Sequence, residues 1–175
     1  KNTPVSETII NEKAFWRSIQ FSLTDDQGAP LKRNVPQILL VAPMSGHFAT
    51  LLRKTVTGLL PYADVRITDW KNAKNVATSK GKFDMADFER YIREEVQDMG
   101  PETHVMAVCQ PSPIVLASTS KMSKNENEHT PLSLTMLGGP VVPSANITQP
   151  VKLAKDNGIA FFKTLIDYVP FGNDG

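Results

Sequence analysis

The sequence predicts an α/β fold, a mostly parallel sheet flanked by helices on both faces, on three observations. Apolar, strand-like runs begin near residues 38, 65, 104 and 132. Segments with apolar residues at spacings of three and four lie between them, the period of amphipathic helices. Prolines and glycines fall at the junctions, where elements stop.

Residues 1–35 are mixed: "FWRSIQFSL" (15–23) can hold a strand, and "TDDQGAPLKRN" (24–34) reads as turn and loop. "QILLVA" (37–42) is a short continuous apolar run, as in a strand buried on both faces. After the loop "PMSGH", Phe48, Leu51, Leu52, Val56, Leu59 and Leu60 mark a helix that Pro61 stops. "DVRITDW" (64–70) alternates like a strand, and a polar loop follows. Asp84 can cap the next helix, which has Met85, Phe88, Ile92, Val96 and Met99 at spacings of three and four. Glu89 and Arg93 make an i,i+4 pair on its outer face, and Gly100-Pro101 ends it. "HVMAV" (104–108) is another strand. "PSPIVLASTSKM" (111–122) is a helix with prolines only in its first turn, where they are tolerated. "LSLTMLGG" (132–139) is a further strand closed by two glycines. From Pro140 the chain reads as loop-rich, ending in an apolar, aromatic and partly helical segment at 158–171.

The 175 residues suit one domain with a real core. A net charge of +1 gives no electrostatic reason to expect nucleic acid or an anionic membrane surface as a partner. No apolar run approaches a membrane span, and "ILLVAPM" (38–44) is among the longest. The single cysteine excludes an internal disulfide and a multi-cysteine zinc site. The start "KNTPVSET", without methionine or a basic-then-apolar leader, reads as a piece of a longer protein with no sign of secretion.

Ligands in such folds sit at the carboxyl ends of the strands, and two sites there have suitable chemistry. The first is "AVCQPS" (107–112), where a strand end, a thiol and a helix start follow directly. In α/β-hydrolases this strand–turn–helix carries a nucleophile in a G-x-S-x-G elbow. Here the flanking residues are Ala107 and Pro111, neither a glycine, and Cys109 stands where the serine would be. A helix N-terminus favours a thiolate, and the Gln110 N–H is placed to donate to an oxyanion. Against this, a lone cysteine after an apolar strand is more often an inert small hydrophobe.

The second site is "APMSGHF" (42–48), the loop that in α/β-hydrolases supplies the other oxyanion donor. Met44, Ser45 and Gly46 are the candidates, although an ordinary turn with Ser45 capping the helix is the commoner meaning of such a loop. His47, Asp69 and Trp70 are candidates to line a pocket there, with local capping or hydrogen bonding the expected role for His47 and packing or loop anchoring that for Asp69 and Trp70. His104 opens a strand at the wrong end and His129 lies in a polar loop. The histidines have no metal-like spacing, so neither a metal nor a cofactor is expected.

Together, "LLVAPMSGHFATLLRKTV", "VRITDW", "THVMAVCQPS" and "LTMLGGP", in this order and spacing, closely resemble the intracellular polyhydroxyalkanoate (polyhydroxybutyrate) depolymerases. The resemblance is strong over residues 36–142. It implies an α/β-hydrolase fold with cysteine in the serine's place, lacking the last strands. Residues 1–142 would form the N-terminal part of the hydrolase core and 143–175 the start of a lid, with 158–171 its apolar part. Cys109 would attack an ester of the storage polyester or its oligomers, at granules in the cytoplasm, through a thioester. Gln110 and Met44–Gly46 would hold the oxyanion. The family's acid and histidine come after further strands, so this chain would carry only the nucleophile half and be inactive alone. Its uncovered sheet edge would favour self-association. The alternatives are a polyester synthase taking its acyl group from coenzyme A, and a non-catalytic granule-binding domain.

Overall fold

The computed structural model describes residues 4–44 and 49–166. Two compact units divide the chain, Lys1–Gly139 and Pro140–Gly175. The first holds β1 (Val5–Glu12), β2 (Trp16–Leu23), β3 (Gln37–Val41), β4 (Asp64–Trp70), β5 (Thr103–Val108) and β6 (Ser133–Leu137). They form one sheet in the order β1-β2-β4-β3-β5-β6. β1 and β2 are antiparallel, as are β2 and β4; from β4 through β3 and β5 to β6 all pairs are parallel. The carboxyl ends of β3, β4, β5 and β6 therefore lie along one edge, the edge where such folds bind ligands.

Three helices belong to this unit: α1 (Arg53–Leu59), entered through a 3-10 turn at Ala49–Leu52, α2 (Met85–Met99) and α3 (Ser112–Lys124). Asp84 caps α2 in a capping box with Asp87. Register assigns the faces. Trp16, Ser18 and Gln20 of β2 lie opposite Trp70, Thr68 and Arg66 of β4, so these six share one face. Arg66 reaches Glu95 at 3.0 Å and Asp98 at 2.5 Å on α2, which places α2 over that face. α3 lies beside α2, with Lys121 3.4 Å from Glu89. On the other face, Arg17, Ile19 and Phe21 close a cavity of about 530 Å³ with Val56 and Leu60, so α1 covers that side.

An aromatic cluster lies under α2. Trp16 stacks near Trp70 and Tyr91 with centroids 4.9 and 5.1 Å away, and Phe88 meets Trp70 edge-on at 4.8 Å. Glu95 is fully buried here and matched by Arg66, an arrangement that punishes loss of either partner.

The second unit contains α4 (Gln149–Thr164), in which no residue is buried and which is kinked at Gly158, φ 64°. Two expectations need correction. Residues 1–35 hold a second strand, β1, that the mixed composition hid. The segment from Pro140 is not loop up to 158, because α4 begins at Gln149 with Pro150 in its first turn, a position that proline suits. Residues 167–171 of the apolar segment lie outside the described residues. Among the described residues, no helix is long and apolar enough to cross a membrane.

Candidate active site

At the end of β5 the chain turns sharply into α3, and Cys109 occupies the turn with φ 65°. The left-handed region costs a non-glycine residue roughly 1–3 kcal/mol, so the surrounding bonds must impose it. They are visible. The Cys109 N–H donates to the Leu137 carbonyl at 2.7 Å, extending the β5–β6 ladder one residue past Val108. The Cys109 carbonyl then accepts from the Ser112 N–H at 3.1 Å, closing the turn onto α3. Cys109 is left exposed at the tip.

The turn is wedged from the β6 side. A Cβ on Gly139 would lie 2.0 Å from Ser112 Oγ, 2.1 Å from its Cβ and 3.2 Å from the Cys109 carbonyl. Only glycine allows the backbone after β6 to press against the first turn of α3 this closely. Ser112 is fully buried, and its hydroxyl has no hydrogen-bond partner among the described residues.

The loop after β3 is held from β4. The Ala42 N–H donates to Thr68 Oγ1 at 2.9 Å, and Trp70 Nε1–H donates to the Ala42 carbonyl at 2.8 Å. Both side chains are buried, so the two backbone groups of Ala42 are satisfied without water. Two residues on, the Met44 N–H donates to Gln110 Oε1 at 3.1 Å. The structure thus brings Met44, Gln110 and Cys109 together at neighbouring strand ends. Ser45, Gly46 and His47 lie outside the described residues.

Trp70 serves as a core residue and an anchor of this loop. Asp69 points to the other face, where its carboxylate accepts from Arg17 Nε at 2.7 Å with the acid only 5% exposed. A concavity of about 720 Å³ at the end of β4 includes Arg17, Asp69, Trp70 and Lys71 in its lining but not Cys109. His104 opens β5 and bonds Ser133 at 2.7 Å, roughly 16 Å along the strand from Cys109 at ~3.3 Å per residue. His129 precedes β6 at the same far end, beside Glu128 at 3.4 Å.

Sequence reasoning passed over Thr68, Ser112 and the Gln110 side chain. Thr68 had no local signature, since its run also carries Asp64, Arg66 and Asp69. The final glycine pair of "LTMLGG" signals a strand stop, but the contact of Gly139 with Ser112 has no local signature.

These features define an α/β-hydrolase fold, and solved structures agree. The chain is similar to brefeldin A esterase, a bacterial homologue of human hormone-sensitive lipase: TM-score 0.54, 14% identity, 86% of this chain and 44% of that one. It is also similar to an α/β hydrolase from the metagenome of Lake Arreo, Spain: TM-score 0.53, 14% identity, 97% and 56% covered. An N-formylmaleamic acid deformylase from Pseudomonas putida S16 aligns with TM-score 0.51 at 13% identity over 78% and 48%. The chain spans about half the length of these structures. No protein-family model matches it, and no curated protein matches it by sequence.

Proposed function

We propose that this chain is the nucleophile-bearing part of a cysteine-dependent carboxylic ester hydrolase whose substrate is polyhydroxybutyrate, the intracellular storage polyester. The observation that carries the reading is the backbone of Cys109. A non-glycine residue at φ 65°, exposed at the end of a parallel strand and directly before a helix, has the geometry of a nucleophile elbow. A buried filler cysteine has no need of such strain.

In this reading Cys109 Sγ attacks the ester carbonyl, and its thiol proton passes to a base. The oxyanion is held by the backbone N–H groups of Gln110 and of the Met44–Gly46 loop. Collapse expels the alcohol end of the polymer and leaves a thioester, which water hydrolyses to the hydroxyacid. The base and its acid are supplied by the rest of the enzyme, because neither described histidine stands at this edge. In the same reading residues 143–175 begin a lid, with 158–171 as its apolar part, suited to a water-insoluble substrate held in granules. β6 pairs with one neighbour only among the described strands, and self-association through that edge belongs to the same reading.

The test has two arms. Intact-mass labelling with iodoacetamide near neutral pH should give rapid, single-site modification at the only cysteine. Sluggish labelling of folded protein would support an inert core cysteine in a non-catalytic granule-binding domain. A longer protein that carries the acid and the histidine as well should release hydroxybutyrate from amorphous polymer. Polymer growth from hydroxybutyryl-coenzyme A would instead make it a synthase.

A further inference from the structure

The hydrogen bond from Met44 N–H to Gln110 Oε1 joins the two loops in which an oxyanion would be held. A backbone amide carries one hydrogen. If the Met44 N–H is a donor to the oxyanion, as the functional reading above has it, that hydrogen is claimed by two acceptors in turn. We propose that the Gln110 carboxamide oxygen is a placeholder in the oxyanion site, occupying the Met44 N–H in the free protein and leaving when a substrate carbonyl arrives. This rests on the acyl-transfer reading of Cys109.

Three features favour a placeholder over a permanent clamp. Gln110 is exposed, so its carboxamide can swing into water and keep its hydrogen bonds there. The loop is already anchored at Ala42 by Thr68 and Trp70, two buried side chains that leave Gln110 no structural duty at that point. A primary amide oxygen also matches an ester carbonyl in size and acceptor geometry, so it fills the position a substrate would take. The consequence is selectivity: the Met44 N–H is surrendered only to an acceptor that becomes stronger than an amide, as a carbonyl does when it turns into an oxyanion.

Two reagents separate the oxyanion from the thiol. Acyl transfer from p-nitrophenyl butyrate forms the Sγ–acyl bond, breaks the bond to p-nitrophenolate and releases the thiol proton to solvent; it passes through an oxyanion. Alkylation by iodoacetamide forms the Sγ–carbon bond, displaces iodide and involves no oxyanion. The ratio of the two initial rates at Cys109, read by intact mass with Cys109→Ala as the background, therefore reports the oxyanion site alone. The backbone N–H of Gln110 is retained in every variant. Gln110→Ala should raise the ratio about fivefold, the worth of one net neutral hydrogen bond. Gln110→Glu should lower it by about tenfold or more, since a carboxylate holds the N–H more tightly and repels the oxyanion. A ratio that is unchanged or lower in Gln110→Ala overturns the placeholder while leaving acyl transfer intact. Cys109 that is alkylated but never acylated, in the wild type or either variant, removes the acyl-transfer reading and the placeholder with it.

Discussion

The ends of β4 and β5 flank the end of β3, yet they are built in opposite ways. At the end of β4 the polar groups are buried and turned inward: Thr68 and Trp70 bond Ala42, and Asp69 bonds Arg17. At the end of β5 the backbone is forced to φ 65° and a thiol is left exposed. The first arrangement supports a neighbouring loop; the second holds a reactive group in place at a cost in stability. Both rest on the same sheet, so the contrast comes from side chains and from what presses on each strand end.

The largest expected effect breaks the supporting side. Trp70→Ala should lose about 3–5 kcal/mol, from an emptied aromatic core and an unpaired Ala42 carbonyl, measured by urea unfolding. The acylation-to-alkylation ratio at Cys109 should fall with it, because the loop after β3 loses its anchor. Next, Gly139→Ala should cost about 2 kcal/mol through the clash with Ser112, and adding Ser112→Gly should recover part of it. Full tolerance of a methyl group at residue 139 would contradict the wedge.

Thr68→Val keeps the shape of the β4 end but removes the acceptor for the Ala42 N–H, for an expected loss of about 1–2 kcal/mol. At the β5 end the sign should reverse. Cys109→Gly relieves the left-handed strain and should stabilise the fold by about 1 kcal/mol while abolishing labelling. A destabilised glycine variant would mean that the turn is not strained. The smallest effect on the thiol is expected of a control away from both ends. The Asp84 carboxyl is held below its usual range by the hydrogen bond from Lys82 and by the backbone N–H groups of Asp87 and Ala86. A carboxyl lowered in this way contributes stability above the ordinary carboxylate range, and that contribution disappears as pH falls through its folded value. Asp84→Ala also removes the α2 cap, so it should lower stability at neutral pH, flatten the acid limb of the stability curve and leave the thiol ratio untouched.

Much of the frame was legible because it depends on local pattern. The runs at 37–41 and 104–108 are largely apolar, the run at 64–70 alternates in strand fashion, and α2 carries its cap, stripe and stop within some twenty residues. β1 was not legible: "VSETIINE" is largely exposed and is a strand because β2 pairs with it. The first half of α4 hid behind a polar composition, although Pro150 in the first turn was a usable sign.

The candidate site divides along the same line. The sequence by itself determined that a thiol stands between an apolar strand and a proline-started helix, and that "PMSGH" follows the first strong strand, since element type and order follow from periodicity and proline chemistry. Only the tertiary structure decided that Cys109 is left-handed, because that conformation is imposed by Leu137 and Ser112, residues separated from it or turned back upon it. It also decided that a Cβ at residue 139 would meet Ser112 and that the Gln110 carboxamide sits on the Met44 N–H. Each is a contact between distant or folded-back segments, and such contacts depend on register and close approach rather than on any local pattern of residues.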